Sequence, residues 1–225
     1  MRSIVGLYRS SLGKKAVMAV TGFLLFGFVL MHMAGNLKMY QGQSKFDAYA
    51  EGLRELGAPV LGHGQALWIV RLVLLVAVTL HLQAALALSR RNSRARPVEY
   101  EKRETVQATY ASRTLRWGGV ILLLFVLYHL AHLTAGWAHP DFESGKAYQN
   151  VVVGFQVPWV AGFYVVANLA LGLHLFHGLW SLFQSLGLHH PRLDPWRRRF
   201  AAFFATVVTL GNVSFPLAVL TGIVR

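Results

Sequence analysis

The chain has 225 residues, 55% of them hydrophobic and 14% charged, where a soluble domain carries about a quarter charged residues. The charges sit in short blocks between long apolar stretches, as in a protein solvated by lipid. There are no cysteines, which excludes a disulfide framework, a thiolate-bound iron–sulfur cluster and covalently attached c-type heme.

The formal net charge is +13. The cations bracket apolar runs and form no patch with interleaved aromatics. They read as topology signals and as a surface for anionic lipid or an acidic partner, not for nucleic acid.

In chain order, a basic arm with Arg2, Arg9, Lys14 and Lys15 leads into an apolar run over about 16–35. That run is longer than a signal-peptide core, and His32 with Gly35-Asn36 is no small-x-small cleavage site, so it reads as a retained first helix. The loop after it carries Ser44-Lys45-Phe46-Asp47, a capping-box pattern, with Phe46, Tyr49, Leu53 and Leu56 at helical spacing. A short interfacial helix is expected there, ending near Gly57 and Pro59.

Further apolar runs follow at about 67–88, 117–136, 159–183 and 200–224, each near the roughly 20 residues that cross a bilayer as helix. Trp117, Trp137, Trp159 and Trp196 sit at their ends, where amphipathic rings favour the interface. The expected fold is therefore all-α and integral to the membrane. It has five transmembrane helices in a single domain over 1–225, without repeats. Lys and Arg divide sixteen to six between the two sides, with the arm and the second-to-third and fourth-to-fifth connections on the rich side. The positive-inside rule then places the N-terminus in the cytoplasm and the C-terminus outside.

Ionisable groups inside hydrocarbon need a reason to be there. Four of the five spans contain histidine: His32, then His81, then His129 and His132, then His174 and His177. A lone intramembrane histidine is commonly an interhelical hydrogen bond; four spans in one small bundle point to a cofactor. At about 1.5 Å per residue, His32 lies about 24 Å from the inner edge at Ala16, and His81 about 13 Å from Arg90. His32 and His129 thus lie toward the outer face, and His81 and His174 toward the inner face.

Two histidine-bearing helices per depth suit two b-type hemes, each with two axial ligands. Paired histidines three apart share a face and a depth. Depth alone therefore leaves His129 or His132, and His174 or His177, open as ligands, with propionate contacts or interhelical hydrogen bonds for the remainder. Zinc would want a compact tetrahedral set, and all nine acidic residues lie in loops or arms. Gly35 and Gly178, near the ligands, would let either a flat porphyrin or a neighbouring helix approach.

Gly27-Phe28-Val29-Leu30-Met31-His32 with Gly35-Asn36, Leu127-Tyr128-His129, and His174-Leu175-Phe176-His177-Gly178-Leu179-Trp180-Ser181 resemble a known family. It is the single-chain, di-heme cytochrome b subunit of succinate:quinone oxidoreductases and fumarate reductases, the b558 family. The resemblance implies a heme-binding bundle of the first four helices, with His32 and His129 on the outer heme and His81 and His174 on the inner one. His132 and His177 then become secondary candidates.

The resemblance also implies a flavoprotein and an iron–sulfur partner, a quinone acceptor (menaquinone being the expected one), and the bacterial cytoplasmic membrane. It implies no succinate site in this chain. Some members carry a glutamate inside the fourth helix near the inner heme. This chain has Gly172 in that region and no acidic residue in any span. Ser10, Ser11, Lys14 and Gln184 are the donors left for a quinone headgroup at the inner edge, the first three doubling as helix-start and positive-inside residues. Readings from other classes are the cytochrome b subunit of a hydrogenase or formate dehydrogenase, a heme-free anchor, and a heme-free transporter using the histidines.

Overall fold

The computed structural model describes residues 6, 8, 10–94, 110–185, 187 and 190–225, and the backbone alone of residues 93 and 110–116. Arg2, Arg9, Arg96, Lys102 and Arg103 lie outside the described residues, as do the side chains of Arg113 and Arg116.

Among the described residues all regular secondary structure is helical. They form α1 (Ser11–Asn36), a 3-10 turn (Leu37–Gln41), α2 (Gln43–Arg54), α3 (Gln65–Arg94), α4 (Tyr110–Leu133), α5 (Ala147–Gln156), α6 (Pro158–Ser185) and α7 (Asp194–Leu220). Four stretches are long and apolar enough to cross a bilayer: Ser11–Gln41, Gln65–Asn92, Pro158–Ser185 and Asp194–Leu220. α4 adds a shorter apolar stretch, Trp117–Leu133. In hydrocarbon a helix satisfies its own backbone, which is why uninterrupted apolar runs become helices here.

The helix ends follow local chemistry. Ser10 is the N-cap of α1, its Oγ accepting from Gly13 N at 2.9 Å. Gly42, at φ 88°, separates the 3-10 turn from α2. Two expected spans end early. α4 stops at Leu133, where Ala135 N turns back to Leu130 O, and α7 stops at Leu220 ahead of Gly222 at φ 73°.

The expected capping box is corrected. Gly42 is the N-cap of α2 without a side-chain cap bond, and Asp47 Oδ1 instead accepts from Tyr148 N at 2.9 Å. That bond reaches α5, a second short helix in a connection for which the sequence gives no element.

Large apolar side chains point outward, among them Phe23, Met31, Trp68, Leu75, Leu124 and Phe203. Such a surface is stable against lipid and not against water. All four span-end tryptophans are exposed. Large side chains such as Phe155, Tyr164, Phe204 and Phe215 are buried together with small ones, among them Ala161 and Ala167 of α6 and Ala201 and Ala205 of α7, the most extensively packed pair.

α1 packs on α3, α6 and α7, and α4 packs on α6. Arg91 donates to Ser11 Oγ at 3.1 Å, and Tyr40 donates to Ser214 Oγ at 2.7 Å. The start of α1 therefore meets the end of α3, and its end meets the end of α7. One end of the bundle carries Lys14, Lys15, Arg90, Arg91, Arg198 and Arg199 and is called the basic end. The other is covered by α2 and α5 and is called the capped end. Within it, Phe46 meets Tyr148 at 6.1 Å between ring centroids, and Tyr148 Oη donates to Arg225 O at 2.9 Å.

Gly35 is buried against the Tyr49 phenol of α2, which a Cβ at this position would overlap. Its smallness thus serves helix packing and not cofactor approach. Gly35→Ala should lower stability by about 1–3 kcal/mol through overpacking, measured as a reduced unfolding midpoint in detergent.

Candidate functional site

Two histidine pairs meet, each across two different helices; His32 is exposed at the bundle surface and His81, His129 and His174 are half-buried. His32 of α1 and His129 of α4 have ring centroids 5.8 Å apart. His81 of α3 and His174 of α6 have theirs 6.4 Å apart. Imidazoles binding one metal ion from opposite sides, with metal–nitrogen bonds of about 2 Å and a ring radius of about 1.2 Å, have centroids about 6.4 Å apart. Both pairs lie close to that separation.

Among the described residues, the helices that each pair bridges are not closely packed against each other. α1 with α4, and α3 with α6, are absent from the closely packed pairs of the bundle. A flat macrocycle between two axial ligands needs that spacing, because the ligand side chains have to span the gap. A Cβ at Gly27 or at Gly178 would meet nothing within 4 Å among the described residues. The donor set is imidazole with no carboxylate. The only described His/acid group close enough to hold an ion is Glu51, Glu55 and His63, exposed at the capped end. The residues present therefore fit b-type heme better than zinc.

The two pairs sit at different depths. His81 Nδ1 lies 3.1 Å from Thr21 Oγ1, eleven residues before His32 on α1. His129 Nδ1 lies 3.2 Å from Tyr164 Oη, ten residues before His174 on α6. At the helical rise both give about 15–17 Å between tiers. The His81–His174 tier is nearer the basic end and the His32–His129 tier nearer the capped end.

His132 and His177 are separate from both pairs. His132 is fully buried, with Nδ1 3.0 Å from Tyr164 Oη and its ring stacked on His139 at 4.9 Å. It ties α4 to α6 and to the capped-end loop. His139 is held by Asn150 O at 2.8 Å and Asp141 N at 3.1 Å. His177 Nε2 lies 3.2 Å from Ser181 Oγ on its own helix. Among the described residues, His132 Nε2, His174 Nδ1 and His177 Nδ1 are buried without a partner.

Of the headgroup donors, Ser10 is occupied by its cap, and Ser11 accepts from Arg91. Lys14 Nζ lies over the Tyr8 ring at 3.6 Å, and Gln184 is exposed. Gly172 faces Thr209 of α7, whose hydroxyl a Cβ would overlap, so that position serves helix contact and has no room for a carboxylate side chain unless Thr209 moves.

Thr21, Tyr164, His139 and Asn150 went unnoticed in the sequence. A hydroxyl eleven positions before a histidine carries no local signal, and only packing brings it to another helix's ring.

The family model described as Succinate dehydrogenase/Fumarate reductase transmembrane subunit matches residues 91–213, more than half of the chain. The matched region contains α4, α6, most of α7 and with them His129 and His174. No curated protein and no solved structure matches.

Gly154 packs its Cα face against the His132 ring, and an added Cβ would lie 2.7 Å from His132 Cε1 and 2.8 Å from Nε2. Gly154→Ala should destabilise the capped end by about 1–3 kcal/mol, seen as a lower unfolding midpoint with the His81–His174 tier unaffected.

Proposed function

The chain belongs to the succinate dehydrogenase/fumarate reductase transmembrane subunit family, and from that premise we propose that it is the single-chain, di-heme membrane anchor of such a complex. The observation that carries the reading is the meeting of His32 with His129 and of His81 with His174, at separations suited to axial ligands of one iron each. The membership supports association with a flavoprotein and an iron–sulfur subunit at the membrane. Bound hemes b would supply one-electron transfer between the iron–sulfur subunit and a membrane quinone, menaquinone in this reading.

In this reading the basic end faces the bacterial cytoplasm and five helices cross the membrane, α4 among them. The cations of the arm and connections attract an acidic docking face and anionic lipid. The four histidines would hold two heme irons at two depths and, as neutral imidazoles, would bring no charge into the hydrocarbon. Small residues between α6 and α7 keep the scaffold rigid, so the ligand rings stay in place. The quinone headgroup is assigned to the basic end. There Ser11, Lys14 and Gln184 offer polar groups at the membrane edge, beside the Ser10 cap.

The reading is tested by a reduced-minus-oxidised spectrum of the purified protein with pyridine hemochrome quantitation. Two hemes b per chain is the expected result, and a colourless protein would overturn it. The positive potential of the basic end favours an added electron in the nearer tier. His81→Ala should therefore remove the higher-potential of two waves in a redox titration; loss of the lower one instead would contradict the charge argument.

A further inference from the structure

The hydrogen-bonding of the four paired histidines is uneven, and the unevenness is the same in both tiers. In the basic-end tier, Thr21 Oγ1 lies 2.7 Å from Val17 O and 3.1 Å from His81 Nδ1. A carbonyl can only accept, so the single hydroxyl proton of Thr21 goes to Val17, the usual back-bond of a threonine inside a helix. Thr21 Oγ1 must then accept from His81, whose Nδ1 carries the ring proton and whose Nε2 carries the lone pair; the Met18 backbone carbonyl beside Thr21 is a second acceptor for the same ring. The His81 ring also rests against the α1 backbone: a Cβ on Gly22 would be in contact with its Cε1 at 3.4 Å. Its partner His174 has a buried Nδ1 with no hydrogen-bond partner among the described residues.

In the capped-end tier, Tyr164 Oη stands between His129 Nδ1 at 3.2 Å and His132 Nδ1 at 3.0 Å. The phenol has one proton to donate, so both contacts can be hydrogen bonds only if one of the two Nδ1 atoms is protonated. With His129 presenting Nε2 as a ligand, its Nδ1–H donates to Tyr164 Oη, and the phenol proton goes to His132. Every atom of that chain is then used once. The partner His32 makes ring contacts with Phe28 and His129 but no hydrogen bond among the described residues.

We propose that Thr21 and Tyr164 are positioning residues, each accepting the Nδ1 proton of one histidine so that every tier has one ligand set in advance and one left to adjust. This inference rests on the heme-ligand reading of the four histidines. An oxygen accepting from Nδ1–H fixes the tautomer and the ring angle and makes Nε2 a stronger donor. A stronger donor favours ferric iron, so losing the acceptor raises the midpoint potential of that tier alone. It also loosens the heme, by about tenfold or more in affinity.

The test compares Thr21→Val, which keeps the shape and removes the hydroxyl acceptor while leaving the Met18 carbonyl, with Thr21→Ser, which keeps the hydroxyl. Both are made in the full chain and purified with its complex. Redox titration should show Thr21→Val shifting only the wave that His81→Ala removes. That shift runs to higher potential, with the reduced-to-oxidised ratio at a fixed potential rising about two- to tenfold (tenfold is about 59 mV for one electron). Thr21→Ser should titrate as the unaltered protein, and Tyr164→Phe should move only the other wave upward.

If Thr21→Val leaves both waves in place while two hemes are present, the positioning role is wrong and the ligand assignment stands. If Thr21→Ser shifts the wave as far as Thr21→Val, the hydroxyl is not the cause and the inference also fails. Loss of the heme in Thr21→Val with retention in Thr21→Ser supports it. A wild-type protein without heme defeats the ligand reading itself.

Discussion

An imidazole in hydrocarbon calls for hydrogen-bond partners, and three of the six in the bundle, His81, His129 and His132, take theirs from a neighbouring helix. His81 draws α3 to α1 at Thr21, and His129 and His132 draw α4 to α6 at Tyr164. The pairs His32–His129 and His81–His174 then face each other across helices that do not pack together. Close packing joins α6 to α7, α1 to α3 and α4 to α6.

The capped end serves the same constraint in another way. The loop after α4 has to return polar backbone over the apolar bundle, and α5 does this by satisfying its own hydrogen bonds. Asn150 anchors it, its side chain bonding both N and O of Glu143 while its carbonyl holds His139. Phe46, Tyr148 and Phe155 fill the space beneath. His132 is buried under this cover, and Gly154 lies against it because no larger residue would fit. The capped-end tier is thereby closed by a structured lid of two short helices. The basic end presents exposed arginines and lysines.

How far the site was legible in advance differs from residue to residue. His32, His81, His129 and His174 stood out because a polar residue in an apolar run is conspicuous, and depth follows from counting along a straight helix. The choice between His129 and His132 was not open to counting, since residues three apart share a face. In the structure it is the rotation of α4 that separates them, turning His129 toward His32 and His132 toward His139. The amphipathic helix after α1 was visible in its spacing, but its capping was misread. Asp47 spends its carboxylate on α5, a contact 101 positions away. α5 itself was missed because ten residues between two long spans read as a connection.

What the sequence determined by itself was everything set by local hydropathy and by counting: apolar helices long enough for a bilayer, the division of charge between their ends, and histidines at two depths. These depend on one helix at a time. What only the tertiary structure decided was which rings meet, which hydroxyls hold them and which glycines make room for a neighbour. Gly35 against Tyr49, Gly172 against Thr209 and Thr21 against His81 are contacts between helices. Their distances depend on the rotation and offset of each helix, which hydrophobicity spread around the whole helix surface does not specify.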